Sequence, residues 1–279
     1  MQKSGRIPWR LPAASYAAVV CGMALGQRWL IYPGQLKAPG GIPMVGEHFF
    51  VPFEAGTAGS GTVPVWTVPT TGSAGGGSRP ALLVWFHGNA EQLADTIWPE
   101  QSFVNRGLSF AAVEYAGFGE ATGAGPTEAT VLAGARAGLD QLRASSGPQT
   151  PIVCVGASLG TGVAAAMAAE GRCDRLELVS AYTSLPGAAQ SEYPWLPAKW
   201  LVIDQFDTGS RAATIRVPTL LVHGTEDRTC PIWMGRQLAR DIAGATLLER
   251  PRGHGDILDE EVYDRLAEFA RATVSGTSP

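Results

Sequence analysis

Short apolar runs recur along the chain at residues 48–53, 62–68, 81–86, 108–115, 151–155, 175–180, 217–222 and 245–248. From 81 onward the runs are continuous rather than alternating, the pattern of strands buried on both faces. Helical stretches lie between them. One follows Gly125-Pro126 and extends to about residue 144, another covers 161–170, a third starts near Pro231, and a fourth covers 257–272. Regular alternation of strand and helix predicts an α/β fold with a mainly parallel sheet and helices on both faces. Ligands of such sheets bind at the carboxyl ends of the strands. The connection 183–206 is too short for a large cap domain, and no internal repeat interrupts the order.

The amino-terminal pattern is different. Lys3, Arg6 and Arg10 precede an apolar stretch over 11–26 that lacks charge, closed by Arg28. This reads as a membrane-directed segment, either an anchor through residues 7–31 or a signal peptide cleaved after 26. Either way the main body is expected to be membrane-anchored or exported. The Gly/Pro-rich residues 33–44 suit a linker, which gives three expected regions: 1–32 signal or anchor, 33–44 linker, 45–275 a single catalytic domain. The glycine-rich stretch 70–78 reads as a solvated loop, since it lacks the Lys-Ser/Thr ending of a phosphate cradle.

The chain has 279 residues, a formal net charge of -4 and 16% charged residues, so it offers no basic face for nucleic acid. Its four cysteines, Cys21, Cys154, Cys173 and Cys230, are far apart, without metal spacing, and read as packing residues rather than a disulfide framework.

The chemistry starts at Gly156-Ala157-Ser158-Leu159-Gly160, between the run 151–155 and the alanine-rich 161–170. Strand, sharp turn and helix in that order form a nucleophile elbow, which lifts the Ser158 hydroxyl above the sheet. A serine hydroxyl needs an imidazole to take its proton, and the imidazole needs a carboxylate to fix its tautomer. Only His223 and His254 follow Ser158. His223 closes a strand and reads as structural. His254, beyond the last strand, is the candidate base. Asp227, in the loop after 217–222, is the candidate acid, with Glu226 its neighbouring alternative and Asp256 a weaker rival. Two backbone amides are expected to hold the developing oxyanion, Leu159 after the nucleophile and Asn89 in the loop His87-Gly88-Asn89-Ala90. Trp195 and Trp200 are candidates to border the substrate pocket.

Seven stretches together carry a family resemblance: 87–90, 115–119, 156–162, 182–184, 193–197, 223–227 and 253–256. On these the chain resembles the α/β-hydrolase superfamily, particularly its membrane-tethered, depalmitoylase-like branch, although Ala116 stands where that branch usually has arginine. The resemblance implies the α/β-hydrolase fold, Ser158, Asp227 and His254 as a triad, and an anchor ahead of the domain. No metal or other cofactor is needed for such chemistry. The expected activity is hydrolysis of carboxylic esters or thioesters, with a small-molecule or lipid-like acyl ester as substrate. A peptidase for short peptides and a non-catalytic membrane-tethered binding protein are the alternatives.

Overall fold

The computed structural model describes residues 13–70 and 80–272. The elements in chain order are α1 (Ala13–Ile31), β1 (Glu47–Glu54), β2 (Ser60–Val68), β3 (Leu82–Phe86), α2 (Ile97–Val104), β4 (Ser109–Val113), β5 (Thr122–Gly123), α3 (Glu128–Ser146), β6 (Ile152–Ala157), α4 (Leu159–Ala169), β7 (Arg175–Val179), α5 (Leu185–Glu192), α6 (Ala198–Leu201), α7 (Thr208–Ala212), β8 (Thr219–Gly224), α8 (Ile232–Asp241), β9 (Thr246–Arg250) and α9 (Glu260–Arg271). The strands join in one sheet of order β1-β2-β4-β3-β6-β7-β8-β9, with β5 pairing β2. The β1–β2, β2–β4 and β2–β5 pairs are antiparallel, and the five pairs from β4–β3 to β8–β9 are parallel.

Alternate side chains of the buried strands feed two cores. Ile152 and Cys154 of β6 face the layer containing α3, α4 and α8, while Val153 and Val155 face α2 and α9. That two-sided burial is why these strands read as unbroken apolar runs. Every residue from Leu159 to Ala168 of α4 is buried, as an alanine-rich helix crossing the centre of a sheet permits. Helix α3 begins later than Pro126: Thr127 is its N-cap, accepting from the Thr130 amide. Helix α9 likewise starts after its cap Asp259, which accepts from Val262.

Two expectations are corrected. Cys154 and Cys173 form a disulfide across a 19-residue separation, their Cα atoms 5.8 Å apart, because the loop after α4 returns beside β6 before entering β7. Cys21 and Cys230 are free. The stretch expected as a linker is not loose. Residues Pro33–Leu36 form a 3-10 turn, Gly34 is buried, and Gln92 reaches the carbonyls of Gly34 and Lys37 through Nε2 and the amide of Gly40 through Oε1.

No helix among the described residues is long and apolar enough to cross a membrane. Helix α1 instead lies along the connection between β7 and β8. The Tyr16 hydroxyl donates to the Trp195 carbonyl, and the Gln27 side chain donates to the Leu201 carbonyl while accepting from the Ile203 amide. Tyr32, fully buried, donates to Asp204 Oδ2 at 2.8 Å. Residues 1–12, the glycine-rich stretch from 71 to 79 and the last seven residues lie outside the described residues.

Candidate active site

Ser158 sits between the end of β6 and the start of α4 with φ of 51°, a left-handed conformation that costs a non-glycine residue energy and that surrounding structure must hold. Its amide donates to the Val179 carbonyl of β7. The flanking glycines are required by space. A Cβ on Gly160 would meet the Phe86 carbonyl oxygen at 1.9 Å, and one on Gly156 would meet the Gly160 oxygen at 2.3 Å. The turn is therefore pressed against the end of β3, leaving the Ser158 side chain directed away from the sheet.

The structure brings together three of the side chains singled out from sequence. His254 Nε2 lies 2.9 Å from Ser158 Oγ, and His254 Nδ1 lies 2.8 Å from Asp227 Oδ2. With Nδ1 protonated toward the carboxylate, Nε2 is the acceptor for the serine hydroxyl. Asp227 is fixed from its other oxygen: Oδ1 accepts from the amides of Thr229 at 3.0 Å and Cys230 at 2.8 Å. Burial alone would raise the Asp227 pKa, but the His254 hydrogen bond, the Cys230 amide and the nearby imidazoles hold it below the usual carboxylate range. Of the other carboxylates weighed, Asp256 accepts from the Gly253 amide, two residues from the ring it would have to orient. Glu226 is exposed.

His223 is fully buried and its Nε2–H donates to the Cys230 carbonyl at 2.7 Å, with Asp227 Oδ2 3.7 Å away. Burial lowers its pKa, so the ring is a neutral prop beneath the loop that carries Asp227.

The loop after β3 approaches Ser158 closely, since a Cβ on Gly88 would lie 3.9 Å from the Ser158 Cβ. The Gly88 amide donates to Glu91 Oε2 at 2.7 Å, and the next residue, Asn89, lines both cavities together with Ser158. Leu159 is the first residue of α4, so its amide has no acceptor within the helix. His87 anchors this loop from below. Its Nε2 lies 2.9 Å from Glu114 Oε1, its Nδ1 lies 2.9 Å from the Gly88 carbonyl, and its ring centroid is 4.1 Å from that of Tyr115. Both ring nitrogens face acceptors, which favours the imidazolium. Burial pushes its pKa down, but Glu114 outweighs burial and the net shift is upward. Glu114 Oε2 also accepts from the Leu93 amide.

Two cavities flank Ser158. One, of about 320 Å³, is mostly apolar and runs beneath α1. The other, of about 200 Å³, lies on the His254 side. Trp195 and Trp200 line neither, which corrects the sequence expectation. The short α6 turns Ala198 and Leu201 to the cavity and leaves Trp200 outside, 77% exposed, with Lys199 Nζ 4.8 Å from its ring centroid. Sequence reasoning missed the α1 residues in the first cavity and Ser180 in the second. Ser180 has φ of 55° and a buried hydroxyl with no partner among the described residues, features visible only in coordinates. Among the described residues no three His, Cys, Asp or Glu side chains gather to hold a metal ion.

No protein-family model matches the chain. The uncharacterised protein Rv2307c of Mycobacterium tuberculosis is 30% identical over 242 residues, covering 84% of this chain and 83% of its own length. Human ABHD12B is 30% identical over 180 residues, 56% of this chain and 48% of that protein. Mouse lysophosphatidylserine lipase ABHD12 is 29% identical over 181 residues, 58% of this chain and 45% of that protein. Among solved structures, the esterase EaEST from Exiguobacterium antarcticum superposes with a TM-score of 0.59 at 17% identity, over 82% of this chain and 100% of its own. The Pyrococcus furiosus esterase Pf2001 gives 0.61 at 16% identity, over 80% of this chain and 91% of its own. The chain belongs to the same family as Rv2307c and has the α/β-hydrolase fold. The meeting of the loops after β3, β6, β8 and β9 around Ser158 occupies the strand ends where α/β sheets bind their ligands.

Proposed function

We propose that this α/β-hydrolase is a serine hydrolase that cleaves carboxylic esters or thioesters through an acyl-enzyme on Ser158. The observation that carries the reading is the unbroken chain of contacts from Ser158 Oγ through His254 to the buried Asp227. In the first half-reaction His254 Nε2 takes the hydroxyl proton as Oγ bonds to the acyl carbon. The carbonyl oxygen, now anionic, accepts from the amides of Asn89 and Leu159. His254 then gives its proton to the departing alkoxide or thiolate as the C–O or C–S bond breaks. In the second half-reaction a water repeats the sequence: its proton passes to His254, its oxygen bonds the acyl carbon, and Ser158 leaves with the proton, releasing the carboxylic acid. Asp227 orients the ring and stabilises its cationic form throughout.

Helix α1 supports association with a lipid surface through residues 7–31. Its only charged residue is Arg28, yet Leu25, Trp29 and Leu30 are exposed. Lys3, Arg6 and Arg10 precede it in the chain, a basic segment suited to anionic headgroups. The buried Cys154–Cys173 disulfide supports a body that works outside a reducing cytoplasm. The seven motif stretches support a place beside the membrane-tethered, depalmitoylase-like branch.

A fluorophosphonate probe tests the reading. Wild-type protein is expected to be labelled on Ser158, with labelling abolished in Ser158→Ala and p-nitrophenyl ester turnover lost in parallel. Folded wild-type protein that takes no label and turns over no ester would overturn it.

A further inference from the structure

The 320 Å³ cavity is bounded on one side by the hydrolase body and on the other by a helix that lies outside the sheet-and-helix core. Leu159, Leu196 and Leu201 form much of the body side, and Met23, Leu30 and Ile31 of α1 close the other. The helix is held there by directional bonds rather than by apolar packing alone. Gln27 is buried, its amide nitrogen donating to the Leu201 carbonyl at 3.2 Å and its oxygen accepting from Ile203 at 2.9 Å. A buried side-chain amide satisfied from both ends is costly to leave unpaired, so it latches the helix in register.

The direction of the helix is also fixed. Just past its carboxyl end, the Gly34 amide donates to the Asn89 carbonyl beside Ser158. At the other end, Tyr16 meets Trp195. Ile31 is thus near the reacting serine and Met23, eight residues earlier, lies about 12 Å further along the axis. The cavity has Ser158 and Asn89 at one end and runs along this helix. Its volume accommodates about ten methylenes, taking each as roughly the 30 Å³ share of a water molecule in the liquid. Its lining is largely apolar, with Gln27 spent on the backbone of the body.

We propose that α1 is the outer wall of a medium-chain acyl pocket, and that Met23 sets the length of chain the enzyme accepts. The proposal rests on the serine-hydrolase reading above and adds the substrate class. Burial of each further methylene in this groove raises kcat/KM about fourfold until the chain reaches Met23, so kcat/KM rises with acyl length and then falls.

The test uses the full chain and p-nitrophenyl esters from acetate to palmitate, with fluorophosphonate labelling of Ser158 measured alongside. Wild type is expected to peak at about eight to twelve carbons, since a cavity of this size holds about ten methylenes. Met23→Trp is expected to move the optimum to shorter chains, reducing the ratio of kcat/KM for the decanoate to that for the acetate at least about tenfold. Met23→Ala, which removes bulk and leaves the latch intact, is expected to move the optimum the other way. If both variants label normally and keep the wild-type length profile, α1 is not the wall. Absence of labelling in wild type sinks the hydrolase reading itself and is read separately.

Discussion

The Gly34 amide donates to the Asn89 carbonyl at 3.0 Å, tying the segment after the amino-terminal helix to the loop that faces Ser158. Gln92 gathers three further bonds from the same segment, to Gly34, Lys37 and Gly40. Gln92→Ala is therefore expected to destabilise the fold by about 1–3 kcal/mol, the cost of leaving buried backbone groups unpaired. It should also lower kcat by roughly tenfold through a slackened Asn89, equivalent to about 1.4 kcal/mol of transition-state stabilisation. Chemical denaturation and steady-state kinetics on a short ester check both. An unchanged kcat beside the loss of stability would show that the segment props the fold without aligning the amide.

Asp227→Asn isolates the carboxylate's effect on the ring. The carbonyl oxygen of asparagine still accepts from the Thr229 and Cys230 amides, so the loop keeps its shape, but an NH₂ group then faces His254 Nδ1 and selects the wrong tautomer. Turnover should fall by about 10³–10⁴-fold with little change in folding stability. A loss smaller than about tenfold would remove Asp227 from its proposed role.

The His87–Glu114 pair gives the stability a pH dependence. The imidazolium pKa is raised above its unfolded value, so the contribution is fully present below about pH 6.5 and is lost as pH rises through the folded value. The melting-temperature difference between wild type and His87→Gln should therefore shrink between about pH 6 and pH 9. A difference constant over that range would mean that the ring is neutral in the folded protein.

Glu177 acts in the same direction for a different reason. Both of its oxygens are buried without a partner among the described residues, and burial raises its pKa well above the usual carboxylate range despite the nearby Arg175. A raised carboxyl pKa leaves stability intact below the unfolded value near 4.3 and erodes it as pH climbs toward the folded one. Glu177→Gln should raise the melting temperature at about pH 7, with the gain vanishing toward about pH 4. Thermal melts at the two pH values decide it, and a loss at neutral pH would point to an unseen partner for the carboxylate.

What could be read from the chain follows from where the information is local. The apolar runs that became β3, β6, β7 and β8 are buried on both faces and announce themselves by composition alone. The elbow is legible because Gly156 and Gly160 answer a steric demand within five residues. Ser158, Asp227 and His254 could be nominated from the order of loops at strand ends, although their distances belong to tertiary structure. Other features depend on partners remote in sequence. β5 is a two-residue pairing with β2 and has no pattern of its own. The Cys154–Cys173 bond needs the return of a loop. Trp195 and Trp200 draw notice in the sequence as bulky aromatics, but the turn of α6 decides which side chains face inward. The docking of α1 depends on the polar Gln27, which a reading by hydropathy treats as an interruption.

The cystine joins the strand that carries the elbow to the entrance of its neighbour, four residues ahead of Ser158. Protein made in a reducing host would carry two thiols inside the wall that presents the nucleophile, whereas secreted protein would carry one covalent crossbar. Preparations from the two sources are therefore different molecules at the spot where reactivity is measured, and the choice of expression system becomes part of any activity assay.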